Sequence, residues 1–195
     1  SCNVFIITVP TPVDDNNQPD LTAVKAACRT LAPALGVGNV VVLESTVFPG
    51  VTEDVCGPEL AAGSGLTPGN DFFLGFSPER INPGDKEHTV SKITKVVAGQ
   101  TPEVTNFLAQ IYGAMTEGNV FKAKNIRTAE AAKVIENAQR DINIAFANEI
   151  GRLCEGREID AHEVMDVLKN SAPRTSFFKP GLGAAGPCLS KDPTI

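Results

Sequence analysis

The chain has 195 residues, enough to bury a real core as one domain with an extension or as two small domains. Its composition, 42% hydrophobic and 21% charged, is that of a globular protein, and a net charge of −6 without a basic run argues against a nucleic-acid partner. The five cysteines (Cys2, Cys28, Cys56, Cys154, Cys188) are odd in number, widely spaced and without a C-x-x-C, so neither a disulfide framework nor a zinc site is signalled, and a reducing, cytoplasmic compartment is the simplest expectation.

No apolar run is long enough to cross a membrane, and the start does not read as a signal peptide. His88 and His162 stand apart, so no metal site is expected. The first element is Val4–Val9, a β-branched apolar run that reads as a strand buried on both faces and therefore parallel to its neighbours. A buried strand at the very first residues suggests a sheet with further strands. Pro10-Thr11-Pro12 stops it and places a stiff loop at its carboxyl end, where open α/β sheets bind ligands. Asp20 is the expected N-cap of a helix over 21–35, with Val24, Cys28, Leu31 and Leu35 on one stripe and Gly36 and Gly38 beyond it.

Val40–Leu43 reads as a second buried strand, followed by Glu44-Ser45-Thr46-Val47-Phe48-Pro49-Gly50. The hydroxyls there suit either a ligand or the cap of a helix around Thr52–Leu60. Phe72–Phe76 is a third strand running into Ser77-Pro78-Glu79-Arg80-Ile81-Asn82-Pro83-Gly84, and Lys95–Ala98 a fourth. Thr101-Pro102-Glu103 is a helix start: a cap, a proline at the first position and an acid in the first turn. Val120-Phe121 makes a short fifth strand. Strands alternating with helices imply a parallel sheet.

From Arg127 to Cys154 only Gly151 interrupts, so one helix of about 40 Å is expected. Its apolar stripe is Val134, Ile135, Ala138, Ile142, Ala145, Phe146 and Leu153, wide enough for a domain connector or a dimer interface. Lys133 and Asn137 share a face, as do Glu136 and Arg140, the latter reading as a surface ion pair. Asp160 opens a last helix that ends before Pro173.

The final stretch, Phe177 to Pro193, holds three prolines and three glycines around Cys188, with Lys191 and Asp192 just after it. A nearby ammonium stabilises a thiolate, so Cys188 reads either as a nucleophile on a loop or as an inert buried thiol. Gly181 to Gly186 fits G-x-G-x-x-G letter for letter, but prolines flank it on both sides, where a dinucleotide fingerprint needs a strand before and a helix after.

Taken together and in order, the segments Val9–Pro12, Glu44–Gly50, Phe76–Gly84, Glu130–Asn137 and Pro180–Pro193 resemble the UDP-sugar 6-dehydrogenase family, and Arg80, Asn82 and Pro83 resemble its UDP-N-acetylhexosamine branch. The resemblance implies an α/β fold in which a partial Rossmann-like parallel sheet with flanking helices is followed by a long central helix and a short helical segment. It divides the chain into the later part of an NAD-binding domain (1–125), a central helical dimerisation domain (126–175) and a catalytic cysteine loop (176–195). It implies NAD as cofactor, a UDP-sugar as substrate and a homodimer through the 127–154 helix. By position, Cys188 is the nucleophile, Lys133 and Asn137 stabilise oxygen charge at the reacting carbon, Asp192 organises water and the thiol, and Glu79 manages water in a hydrolysis step. NAD contacts fall on Val9, Pro10, Thr11, Ser45, Thr46 and Lys191. Sugar contacts fall on Glu79, Arg80, Ile81, Lys133, Asn137, Phe178 and Gly183. Ala185 stands where the family has the first glycine of a pair, and Pro83 where the UDP-glucose branch has a second glutamate. The chain corresponds to the middle of the family's length, without the phosphate-binding glycines or the UDP-gripping domain, so it is expected to be inactive alone. The alternative is a dimerising core or binding module without turnover. A cysteine hydrolase is disfavoured, because neither histidine sits in a catalytic-looking loop.

Overall fold

Four consecutive apolar residues, Val40 to Leu43, are best satisfied by a strand covered on both faces. In the computed structural model of the chain, which describes residues 2–14, 16, 18–80, 92–171 and 178–181, all four are buried in strand β2 (Val40–Leu43). β2 lies between β1 (Val4–Ile7) and β3 (Phe73–Phe76), parallel to both. β4 (Lys95–Gly99) and β5 (Val120–Lys122) complete a five-stranded sheet in the order β1-β2-β3-β4-β5. The fold is the expected Rossmann-like α/β arrangement of a sheet with flanking helices and a long helix beyond it. The sheet is mixed rather than wholly parallel, because β3 and β4 run antiparallel. Parallel neighbours need a crossover element between them. Antiparallel neighbours do not, and β4 runs back alongside β3.

The side chains of β2 and β3 alternate between two cores. Val41, Leu43, Leu74 and Phe76 face a cluster with Val24 and Cys28 of α1 (Thr22–Leu31) and Leu60 of α2 (Gly57–Ser64). Val40, Val42 and Val97 face Val104, Leu108 and Tyr112 of α3 (Pro102–Met115). The N-cap of α1 is Leu21 rather than the expected Asp20, which lies one residue earlier and accepts from the Thr22 N–H at 2.8 Å, and the helix tightens into a 3₁₀ turn over Ala32–Ala34, where Pro33 has no N–H to give. The hydroxyl of Thr101 accepts from the Val104 N–H at 3.3 Å, as a cap should. The expected helix after β2 begins as a π-helical segment, Val51–Cys56. Pro58 cannot donate to the Asp54 carbonyl and crowds it, which widens the preceding turn. The thiols of Cys28 and Cys56 meet in the core, and that hydrogen bond together with burial pushes the Cys56 thiol above its ordinary range, so it stays protonated and inert.

Gly75 and Gly99 face each other in the β3–β4 register. A Cβ on Gly75 would stand 2.4 Å from Leu108 Cδ1, and one on Gly99 would stand 2.8 Å from the Thr105 nitrogen. The two glycines let α3 lie closer to the sheet than any side chain would allow.

The chain divides into two compact units, over 1–134 and 135–194. Helix α4 (Ile126–Glu155) contributes to both, and α5 (Ala161–Ser171), capped by Asp160, belongs to the second. The second unit buries Ala147, Cys154 and Met165. The described start of the last loop docks within this unit: the Gly181 N–H donates to Asn148 Oδ1 at 2.8 Å, Lys179 pairs with Asp166 at 3.0 Å, and Pro180 packs over Gly151.

In the first unit one side chain fixes the start of α4. Glu130 has no exposed surface, yet its carboxylate is fully engaged. Oε2 accepts from the Gly50 N–H at 2.6 Å, and Oε1 accepts from the Thr52 N–H at 2.9 Å and the Thr52 hydroxyl at 2.6 Å. Gly50 holds φ at 104°, a backbone turn that presents these donors and that a side chain would strain. Outside this clamp, Arg127 pairs with Asp54 at 2.8 Å and with Glu53 at 3.5 Å.

Glu130→Ala strands three donors and is expected to cost about 3 kcal/mol or more, and Glu130→Gln, which turns an NH₂ towards one of them, about 1–3 kcal/mol. Burial pushes the Glu130 carboxyl above the ordinary carboxylate range, with the Thr52 and Gly50 donors pulling back. Its stabilisation is therefore complete below the ordinary value of about 4.3 and declines as pH rises through the elevated folded value. Urea unfolding at a series of pH values should show the wild-type advantage over Glu130→Gln shrinking across that interval. An advantage that grew with pH there would mean that the three donors outweigh desolvation.

Candidate active site

Loops that follow parallel strands collect at one edge of a sheet. Here the loops after β1, β2 and β3 bring together Val9-Pro10-Thr11-Pro12, Glu44-Ser45-Thr46 and Ser77-Pro78-Glu79-Arg80. The first two are laced to each other. The Ser45 hydroxyl donates to the Val9 carbonyl, and the Thr11 hydroxyl donates to the Thr46 carbonyl, both at 2.6 Å. Thr11 and Ser45 are buried, while Val9 and Thr46 are half-buried and Pro10 is exposed. Both hydroxyl protons are thus committed to backbone. No basic residue occurs in 8–12 or 44–50. Such a surface does not by itself meet the charge of a pyrophosphate.

Glu79 is exposed, with its Oε1 accepting from the Arg80 N–H at 2.6 Å, and Arg80 is half-buried. Beside them lies a group that sequence reasoning missed. Lys95, the first residue of β4, is buried with its ammonium 3.5 Å from Glu44 Oε1 and 3.8 Å from Glu79 Oε2. The same ammonium lies 5.2 Å from the centroid of the Tyr112 ring, and the Tyr112 hydroxyl donates to Glu44 Oε1 at 2.6 Å. Burial and the Glu44 carboxylate push Tyr112 well above the ordinary phenol range, so it remains a donor. A lysine within an apolar strand pattern was the available signal, but it pointed to this edge only once β4 was known to run backwards.

Helix α4 buries Ile126, Ala129, Ala147 and Cys154 in the ordinary way, but between them it inverts the amphipathic rule. Glu130, Lys133 and Asn137, on one face at helical spacing, are buried at 0%, 8% and 1% exposure. Ile135, Ile142, Phe146 and Leu153 are 50–66% exposed. The expected Glu136–Arg140 ion pair forms at 3.3 Å. Phe178 is half-buried in the second unit. Cys188, Lys191, Asp192, Ile81 and Gly183 lie outside the described residues. Among the described residues no group of acidic, histidine and cysteine side chains could hold a metal, no helix is long and apolar enough to cross a membrane, and Cys2, Cys28, Cys56 and Cys154 are all free thiols.

Residues 1–116 match the model of the UDP-glucose/GDP-mannose dehydrogenase family, NAD binding domain, and residues 127–195 match the model of that family's central domain. UDP-N-acetyl-D-glucosamine 6-dehydrogenase of Pseudomonas aeruginosa is 48% identical over 194 residues, which is 98% of this chain and 45% of that protein. Protein CapL of Staphylococcus aureus is 50% identical over 191 residues, 97% of this chain and 44% of that protein. The solved structure of a UDP-D-ManNAc dehydrogenase from Pyrococcus horikoshii matches with a TM-score of 0.91 at 36% identity, covering 98% of this chain and 45% of that one. The chain therefore spans about half the length of these relatives. With its hydroxyl-laced strand ends and its inverted helix, it belongs to the UDP-glucose/GDP-mannose dehydrogenase family, over that family's NAD-binding and central domains.

Proposed function

We propose that this chain is the catalytic core of an enzyme that oxidises the carbon-6 alcohol of a UDP-N-acetylhexosamine to the carboxylate. The observation that carries the reading is the inversion of α4. A helix that buries a lysine and an asparagine one turn apart while exposing isoleucine and phenylalanine is not organised for its own stability. Buried donors of that kind suit an oxygen on which negative charge develops. The similarity to UDP-N-acetyl-D-glucosamine and UDP-D-ManNAc dehydrogenases supports the substrate class.

NAD, when bound, supplies the hydride acceptor for each of two oxidations. In the first, the alcohol loses a proton and a hydride to give the aldehyde. Cys188 then adds through sulfur to the carbonyl carbon, and the carbonyl oxygen becomes the hydroxyl of a thiohemiacetal. Loss of a hydride and that hydroxyl proton gives the thioester. Water attacks the thioester, the carbon–sulfur bond breaks, and the thiol is restored as the carboxylate leaves. Lys133 and Asn137 donate to the reacting oxygen throughout. Glu79 accepts the proton of the attacking water, and Asp192 helps order water and thiol. Val9, Pro10, Thr11, Ser45 and Thr46 shape the cofactor side, with Lys191 contributing there. Arg80, Ile81, Phe178 and Gly183 line the sugar side.

The exposed apolar face of α4 supports a second element of the proposal, a homodimer through residues 127–154. Sedimentation at roughly tens of micromolar should give a dimer, and a monomer there would remove this element.

In the full-length protein, Cys188→Ala should form little or no carboxylate, and any residual turnover should stop at the aldehyde, so that NADH per sugar falls from two to at most one. Cys188→Ser should accumulate an ester-linked adduct. Lys133→Ala should slow the reaction by about a hundredfold or more through lost charge stabilisation. Counting NADH per sugar, with mass detection of the adduct, distinguishes these. A Cys188→Ala enzyme releasing two NADH per sugar at near wild-type rate would remove the covalent mechanism. NADH formation from a UDP-hexose by the 195-residue chain alone is not expected.

A further inference from the structure

We propose that Lys95 is a positioning residue for Glu79, holding its carboxylate in the direction needed to receive the proton of the hydrolytic water. This rests on the role given to Glu79 above. The route begins with strand direction. In the antiparallel register Phe76 faces Ala98, and three further steps along both chains set Glu79 opposite Lys95. Had β4 continued the parallel order, its first residue would lie at the opposite edge of the sheet. The reversal is what brings a strand-borne cation to the edge where the β1–β3 loops gather.

A buried ammonium is costly unless it is paired. Lys95 meets that demand with two carboxylates and a ring face. Of the two, Glu44 is held by the sheet and by Tyr112, whose hydroxyl occupies the same Oε1 that faces the ammonium. Glu44 and Tyr112 therefore fix the lysine from below. Glu79 is different, because its side chain is 50% exposed and sits on a loop. A carboxylate there has several rotamers open to it, and a proton-transfer geometry uses one. The ammonium 3.8 Å from Oε2, together with the Arg80 N–H on Oε1, favours one orientation over the others. The order of dependence runs from α3, through Tyr112 and Glu44, to Lys95 and then Glu79.

The step concerned is balanced without redox chemistry. Water oxygen bonds to the thioester carbon while Glu79 takes a proton, the carbon–sulfur bond breaks, and the sulfur leaves as thiolate. A mispositioned Glu79 slows this step and leaves the two hydride transfers untouched.

The experiment uses the full-length protein with NAD and a UDP-N-acetylhexosamine, comparing Lys95→Met, Lys95→Arg and Glu79→Gln with wild type. The readouts are the first-turnover NADH burst, steady-state kcat and KM, and the mass of the covalent enzyme adduct. Lys95→Met should keep the burst, hold KM within about threefold, lower kcat on the order of ten- to a hundredfold, and accumulate adduct, as expected when a reacting group is misplaced by about an ångström. Lys95→Arg should restore most of the rate. If Lys95→Met folds poorly, Lys95→Gln combined with Glu44→Gln removes the charge without orphaning Glu44 and should show the same adduct. Near wild-type kcat without adduct, or burst and kcat falling in proportion, overturns the inference. Adduct in Glu79→Gln but in neither Lys95 variant sinks Lys95 alone. No adduct in Glu79→Gln sinks the reading of Glu79, and the role of Lys95 with it.

Discussion

The carboxylate of Glu130 is the constraint on which the first unit depends. A charge with no exposed surface survives only because three donors converge on it. Those donors come from the turn that leaves the β2 loop and starts the π-helical segment, a turn that needs the positive φ of Gly50. One contact therefore sets both the exit of the loop holding Ser45 and Thr46 and the rotation of α4 about its axis. Lys133 is three residues further along that helix. The burial of Lys133 follows from the rotation that Glu130 imposes.

The sheet edge works by a second economy. Its hydroxyls and charges are mostly satisfied by each other, so little of the site's polarity is left to solvent. Ser45 and Thr11 stitch two loops through carbonyls, and Lys95 gathers one carboxylate from the second of these loops, Glu44, and one from the loop after β3, Glu79. Preorganisation of this kind places oxygens and cations before any ligand arrives and lowers the ordering that binding requires. The electrostatics of the edge are local, short-range and partly desolvated, so salt should screen them less than it screens the surface pairs of Arg29 or Arg152.

Much of this was legible in the residues. The runs Val40–Leu43 and Phe73–Phe76, the cap at Thr101, the breaks around Pro10 and Gly36, and the single helix after Ile126 follow from period and punctuation. The pairing of Lys133 with Asn137 follows from helical spacing. The direction of β4 does not, since Lys95 to Gly99 would look the same in either orientation and the decision lies in a connection without a periodic signal. The π-helical start of the helix after β2 was hidden because the expected helix around Thr52–Leu60 runs through Pro58 without marking where the turn widens. The roles of Glu130 and Glu44 were not visible, because their partners lie 78 and 68 residues away in sequence. Long-range satisfaction of a charge is the feature that single-sequence reasoning sees least well.

The close approach of α3 to the sheet carries a consequence for how such a chain can change over time. Gly75 and Gly99 perform no chemistry and touch no loop of the site. Yet Leu108 rests where a methyl group on Gly75 would be and Val104 where one on Gly99 would be, and Tyr112 follows Leu108 by one helical turn. A single added carbon at either glycine would lift the helix and draw the phenol away from Glu44. Two positions that look like filler in a strand are therefore as intolerant of drift as the residues that face the reaction. A substitution there would register first as a change in the charges at the sheet edge, before any loss of the fold.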